Sequence, residues 1–160
     1  ESFFIDSLAN RLPYNKRIVL QLPVVTGFTS NKEIFSSPDS MLLQNIKQIV
    51  LYIQKDSFWK YMAAQINVTT QNNFEILPAI GNQIIELGNA ENLEDKFNRL
   101  YSFYQQVWAK GYYDKYAVLK AQYNEQIVAV RKNNLSPQTA INPSQATINN
   151  NVFNQFTTNN

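Results

Sequence analysis

The fold of this chain is decided by the stretch from Phe74 to Lys132, FEILPAIGNQIIELGNAENLEDKFNRLYSFYQQVWAKGYYDKYAVLKAQYNEQIVAVRK. Its pattern predicts two strands, a helix and two more strands, joined by short turns. The predicted segments are Phe74–Pro78, Gln83–Leu87, Leu93–Lys110, Tyr116–Tyr123 and Gln126–Lys132. We therefore expect this stretch to form the core of a small domain that ends in a strand hairpin.

The predicted helix Leu93–Lys110 carries an apolar stripe at helical spacing. The stripe consists of Leu93, Phe97, Leu100, Tyr101, Tyr104, Val107 and Trp108. Glu94 and Asp95 lie in the first turn, where acids stabilise the helix dipole, and Gly111 is the expected C-terminal stop. We expect one face of this helix to pack on a core.

A second amphipathic helix is predicted upstream, beginning at Ser37-Pro38-Asp39. Its apolar stripe comprises Leu42, Leu43, Ile46, Ile49, Val50 and Ile53. Gln65–Thr70 alternates with period two, so it is predicted to be the first strand of an antiparallel meander with the next two strands. Nearer the N terminus, Ser2–Asp6 and Arg17–Val25 are predicted strands, and Asn10–Lys16 is a predicted loop.

This order of elements predicts an α+β fold, with a mixed, largely antiparallel sheet and two amphipathic helices packed on one face. We expect the folded domain to span residues 1–132. Residues 133–160 are rich in Asn, Gln, Thr and Ser and bury too little apolar surface to offset the entropy of ordering. They are therefore predicted to be a C-terminal tail, with Val152, Phe153 and Phe156 as its only plausible anchors.

Composition argues against several classes of protein. The 160 residues include 14 basic and 12 acidic side chains in scattered positions, which gives no nucleic-acid footprint. The chain has no His and no Cys, and so lacks the commonest general base, the usual nucleophile pairs and thiolate metal sites. We expect no catalysis, cofactor or metal. Because the chain starts at Glu1 and has no signal-peptide pattern or membrane-spanning run, we expect a processed chain or a fragment.

Carboxylates and aromatic side chains are the remaining candidates for chemistry. Glu75 and Glu86 can face each other across the meander, but each alternates with apolar residues as solvent-facing strand residues do. An aromatic set around the last helix is compatible with carbohydrate stacking, although its mostly helical period favours core packing. The set is Tyr101, Phe103, Tyr104, Trp108, Tyr112 and Tyr113. Phe103, Tyr112 and Tyr113 do not fit the stripe and remain candidates for a contact surface.

The last hairpin is the strongest candidate for a functional surface. No later strand obviously covers Gln126–Lys132, and an uncovered strand edge exposes backbone N–H and C=O groups. Such an edge is either blunted, here by Arg131 and Lys132, or used to add a strand from a partner peptide. The residues alone leave both interpretations open.

Seven segments of the chain together carry a family resemblance. They are Leu22–Gly27, Phe58-Trp59, Gln65–Val68, Phe74–Gly81, Ile84–Gly88, Lys96-Phe97 with Leu100, Phe103 and Tyr104, and Tyr116–Arg131. In this order and spacing they resemble the C-terminal β domain of the FtsQ/DivIB bacterial cell-division proteins, in the form seen in the Bacteroidetes. The resemblance covers roughly Ser2 to Lys132, without the family's transmembrane helix and POTRA domain.

The resemblance implies a non-enzymatic scaffold of the divisome on the periplasmic side of the inner membrane, anchored to the membrane in its full-length form. It implies binding to FtsB/DivIC-like and FtsL-like division proteins, by strand addition at the terminal hairpin, and a role in controlling septal peptidoglycan synthesis. The partner-contacting residues to which it points are Tyr112, Tyr113, Tyr116, Val118, Lys120, Gln126, Val128, Val130 and Arg131. Which terminal strand is the free edge stays open, and a tail folded over the hairpin would cover it.

The alternative function is a ligand-binding or hydrolase-like accessory domain of the cell envelope. It requires a cleft that joins Glu75 or Glu86 to exposed aromatic side chains. The absence of His and Cys counts against its catalytic version.

Overall fold

The computed structural model describes residues 3–6, 11–13, 22–28, 37–112 and 114–132. The strands in these ranges are β1 (Phe3–Ile5), β2 (Arg11–Pro13), β3 (Val24–Thr26), β4 (Ala63–Val68), β5 (Phe74–Pro78), β6 (Ile84–Gly88), β7 (Tyr116–Lys120) and β8 (Val128–Arg131). The helices are α1 (Ser37–Lys55), α2 (Trp59–Met62) and α3 (Leu93–Ala109). The predicted α+β class is confirmed.

Strands β3 to β8 form one six-stranded sheet whose order follows the chain. β4, β5 and β6 are antiparallel neighbours, which confirms the predicted meander. β3 pairs with β4 in parallel, β6 pairs with β7 in parallel, and β8 closes the sheet antiparallel to β7. The sheet is therefore mixed. β1 and β2 form a separate antiparallel hairpin.

Both parallel pairs are joined through helices, β3 to β4 by α1 and α2, and β6 to β7 by α3. The four strands of these pairs run in one direction, and both connections step the same way across the sheet. Because parallel crossovers are right-handed, both helices come to lie on the same face. The buried residues of helices and strands accordingly form one core cluster, as predicted for two helices on one face.

The core is built from the apolar faces of α1 and α3 against the inward side of the sheet. Tyr52 of α1 stacks on Phe97 of α3 with ring centroids 4.7 Å apart, and Trp59 packs against the same ring at 5.0 Å. The inward strand residues are Ile66, Val68, Phe74, Ile76, Ile85, Leu87 and Leu119. Each is almost fully buried, so removal of apolar surface from water holds the helices on the sheet.

Local sequence signals set the helix boundaries. Asp56 Oδ1 accepts hydrogen bonds from the backbone N–H groups of Phe58 and Trp59 at 2.8 and 2.9 Å, and so satisfies donors at the start of the short second helix. Asn92 is at the N-cap of α3 with φ 51°, but its side chain makes no capping hydrogen bond. Gly111 ends α3 at φ 67°, as predicted.

The buried face of α3 is rotated around the helix relative to the predicted stripe. Phe103, expected outside the core, is only 3% exposed and packs edge-on against Tyr116 of β7 at 5.3 Å. Tyr101 and Trp108, expected on the stripe, are 39% and 40% exposed. The reason is that β7 covers one flank of α3, so the buried arc is rotated toward the Phe103 side.

Several predicted boundaries also change. Arg11–Pro13, predicted to be part of a loop, forms β2, since its backbone pairs in register with Phe3–Ile5. The last two strands are shorter than predicted, because the chain turns through Tyr123 to Glu125 and Gln126 lies in the connection. Most of the predicted strand Arg17–Val25 and the whole predicted tail lie outside the described residues.

Candidate functional site

Strand order identifies which terminal strand is at the edge of the sheet. β7 lies between β6 and β8, whereas β8 pairs only with β7 among the described strands. The register places Val118 opposite Val130 and Lys120 opposite Val128, with a bulge between Tyr116 and Val118. Of the two terminal strands, β8 is therefore the one at the edge of the described sheet.

Four of the predicted partner-contacting residues come together at this end of the sheet. Leu119 and the half-buried Ala129 pack on the core, so the residues alternating with them point to the opposite side. This side, which we call the outer face, is the one turned away from α1 and α3. The four predicted residues on it are Val118, Lys120, Val128 and Val130, and each is half-buried.

The other predicted residues are spread around the hairpin. Tyr112 is 39% exposed, and Lys115 Nζ lies 3.5 Å from its ring centroid in a cation–π contact. Tyr116 is half-buried with its ring on Phe103. Arg131 is exposed at the end of β8.

The two remaining predicted residues are Gln126 and Tyr113. Gln126 lies in the connection between β7 and β8, and its carbonyl oxygen accepts a hydrogen bond from Arg99. Tyr113 lies outside the described residues.

Arg99 of α3 is the main feature of the site that the sequence did not indicate. Its Nη1 donates to the carbonyl oxygens of Tyr123, at 3.0 Å, and Gln126, and its Nη2 lies 3.5 Å from the Ala121 oxygen. Its Nε donates to Asp95 Oδ2 at 2.9 Å. One guanidinium therefore joins α3 to the β7–β8 connection. No sequence pattern indicated this role, because the acceptors are backbone carbonyl groups.

A row of polar side chains crosses the outer face from β3 to β7. Asn67 Nδ2 donates to Glu75 Oε2 at 2.8 Å, and Lys120 Nζ lies 3.3 Å from Glu86 Oε2. The register places Glu75 directly opposite Glu86, which confirms that they share a face. Each carboxylate has its own donor or cation, Asn67 for Glu75 and Lys120 for Glu86.

The arrangement provides little for catalysis in the described part of the chain. No group of three or more acidic, His or Cys side chains there is suited to a metal ion. The exposed rings of Tyr101 and Trp108 pack with Phe58 on the helical side, opposite the outer face that carries Glu75 and Glu86. A cleft joining those carboxylates to these aromatic rings is therefore not formed.

Two buried polar groups have shifted pKa values, and both belong to the scaffold. Burial raises the pKa of Tyr104 to about 12, although the hydrogen bond from Gln83 Nε2 at 2.7 Å opposes the shift. Burial lowers the pKa of Lys96, whose Nζ donates to the carbonyl and side-chain oxygens of Asn89 at 2.9 and 2.8 Å. Gln83 Oε1 is buried without a protein partner.

Comparison with known families identifies the domain. The model of the FtsQ/DivIB, C-terminal related family matches residues 1–130, which include β1 to β8 almost in full. No curated protein matches the chain. Within the described ranges, no helix has both the length and the apolar character required to cross a membrane. The match covers most of the chain, as the order of its strand and helix motifs predicted, and the chain therefore belongs to the FtsQ/DivIB C-terminal related family.

Proposed function

We propose that this FtsQ/DivIB-like division domain is a non-enzymatic scaffold whose terminal hairpin binds a division partner by strand addition. The partner strand pairs with the outer edge of β8, and FtsB/DivIC-like and FtsL-like proteins are the partners. Through them the domain helps regulate septal peptidoglycan synthesis on the periplasmic side of the inner membrane. The family match supports the role in division. The partners, the strand addition and the effect on peptidoglycan synthesis are what we propose.

The observation that carries the proposal is the position of β8. It is the last strand in the sheet order, and among the described residues no strand pairs with its outer side. An edge of this kind presents alternate backbone N–H and C=O groups that a partner strand satisfies. The partner's affinity then comes from main-chain hydrogen bonds, and its register comes from neighbouring side chains.

Side chains beside this edge provide the register. Val128 and Val130 lie on the outer face, and Ala129 between them faces the core. A partner strand placed next to β8 brings alternate side chains against this valine pair. Arg131 at the end of β8 and Tyr112 beside β7 extend the contact beyond the strand.

We further propose that residues 133–160 lie outside the folded domain. The family match ends at residue 130, close to the end of β8. The composition of the segment, rich in Asn and Thr, supports this division. Truncation after Lys132 should therefore leave partner binding intact.

Proline substitution in β8 tests strand addition. Backbone N–H groups along β8 point alternately toward β7 and away from it. Of the two variants Val128→Pro and Ala129→Pro, one therefore removes an N–H group that points outward, and the other removes a hydrogen bond to β7. The outward variant should keep the free energy of unfolding within about 1 kcal/mol and lose roughly tenfold or more in partner affinity. Calorimetric titration with the ectodomain of the FtsB/DivIC-like protein from the same genome measures the affinity.

The matched control is Glu75→Gln, which changes the outer face two strands away from β7 and should leave partner affinity unchanged. Wild-type affinity in the folded proline variant would show that the partner does not pair with β8.

The ligand-binding or hydrolase-like alternative is not proposed. It needs carboxylates and aromatic rings in one cleft, and the exposed rings of Tyr101 and Trp108 lie on the opposite side of the sheet from Glu75 and Glu86.

A further inference from the structure

The connection between β7 and β8 has carbonyl groups that the sheet does not satisfy. The register of the two strands ends at the pair Lys120 and Val128, so the segment between them makes no ladder bonds between β7 and β8. Its first residue, Ala121, still donates its N–H to the Glu86 oxygen of β6 at 2.9 Å. Glu125 in this segment has φ 61°, a left-handed conformation that costs free energy for a residue with a side chain. The shape of the connection therefore requires contacts from elsewhere.

Arg99 supplies those contacts from α3. Its guanidinium donates to the carbonyl oxygens of Tyr123 and Gln126 and approaches that of Ala121, so the acceptors span the connection from end to end. The side chain is 11% exposed, whereas that of its ion-pair partner Asp95 is 60% exposed. The planar fork of an Arg suits several acceptors at once, and charge-assisted hydrogen bonds are the stronger kind.

Among the described residues, β8 is restrained less than the strands inside the sheet. It is four residues long and pairs on one side only, with β7, as the edge strand of the six. At its far end the N–H of Lys132 donates to the Lys115 oxygen at 3.1 Å, and Lys132 pairs with Asp114. At its near end, beside Ile127 packed on the core, the polar restraint is Arg99.

We infer that Arg99 is a positioning residue that fixes the β7–β8 connection and thereby holds the edge of β8 in place for a partner. It acts through the backbone of the hairpin and not by touching the partner, because its donors are directed to the carbonyl groups. This inference rests on the proposed function for its biological consequence. The structural part of the inference, that Arg99 clamps the β7–β8 connection to α3, does not depend on that function.

Hydrogen exchange in the partner-free chain tests the clamp. In Arg99→Gln, the amides of residues 123–131 should exchange roughly 10-fold faster or more, while those of β4, β5 and β6 change by less than about twofold. Arg99→Lys keeps the charge beside Asp95 but replaces the fork with a single ammonium group, so it should fall between wild type and Arg99→Gln. Lys110→Gln, an exposed cation just beyond the same helix, is the control and should leave exchange unchanged.

Unchanged exchange at residues 123–131 in Arg99→Gln would overturn the clamp. Equal acceleration in β4, β5 and β6 would overturn it too, since Arg99 would then be an ordinary stabiliser of the whole domain. Partner titration distinguishes the two proposals. If local exchange rises and the partner loses affinity in parallel, both are supported. If exchange rises but wild-type protein does not bind the partner, the clamp stands and strand addition fails.

Discussion

The centre of the sheet and its β7–β8 end are held by different forces. In the centre, Ile66, Ile76 and Ile85 are fully buried, one from each strand of the meander. In β7 and β8 only Leu119 is comparably buried. Polar contacts restrain this end instead: Arg99 donates hydrogen bonds to the connection, and the N–H of Lys132 donates to Lys115 at the far end of β8. Local stability usually follows this kind of difference, so the end that opens most easily is also the proposed binding end.

Core truncation is the strongest test of that difference. Phe97→Ala removes a ring that is fully buried and contacts both Tyr52 and Trp59, so it should lower the free energy of unfolding by about 3–5 kcal/mol. Val130→Ala in β8 removes half-buried methyl groups and should cost less than about 1 kcal/mol. Urea unfolding measures both values. Similar losses in the two variants would contradict the division between centre and end.

A glycine pair extends the comparison to the backbone. Gly27 and Gly111 both have positive φ, but a Cβ on Gly27 would lie 2.0 Å from the Val68 oxygen of β4, and one on Gly111 meets nothing within 4 Å. Gly27→Ala should therefore destabilise the protein by about 3 kcal/mol, the sum of a backbone clash and left-handed strain. Gly111→Ala should cost only the strain, about 1 kcal/mol. Thermal or urea unfolding of both variants measures the difference, and equal costs would mean that Gly27 is not packed against β4 as described.

The pH dependence of stability in alkaline solution tests whether the Tyr104 hydroxyl is buried in the centre of the domain. The pKa of Tyr104 is raised to about 12 from its ordinary 10.0, so the unfolded chain loses this proton before the folded chain does. The resulting stabilisation is complete below pH 10 and is lost as pH rises through 12, amounting to about 3 kcal/mol. The stability difference between wild type and Tyr104→Phe should narrow by that amount in urea unfolding between pH 9 and 12.5. Tyr52, whose pKa burial also raises, is present in both proteins and cancels. A constant difference would show that the Tyr104 hydroxyl is not buried.

The sequence predicted the parts of the fold that rest on periodic burial. The stripe of α1 and the alternation of β4 to β6 have one buried side each, so their pattern is read directly from residue type. Gly111 was found as well, since its role as a helix stop depends on local backbone chemistry. The final hairpin was also predicted, but the predicted strands were longer than β7 and β8 are in the structure.

The features that were missed depend on contacts between distant segments. Phe103 is buried because Tyr116 of β7 covers it, and nothing in the helical period of α3 shows which flank a later strand will cover. Arg99 resembles any helical Arg placed four residues after an Asp. Its role depends on three carbonyl groups far along the chain, and backbone acceptors leave no mark in a sequence. β2 was missed because three residues ending in Pro13 give no alternation to detect.

The chain-order arrangement of the six strands has a consequence for how the domain is made. Each strand from β4 onward finds its neighbour already synthesised, and none has to be inserted between two others. A sheet of this kind can grow by accretion during synthesis, each strand pairing with the one before it. β8 is the last of the described strands to be added, and a chain that stops before Val128 retains every other pairing among them. The proposed partner edge is thus completed only when the rest of the domain has been translated.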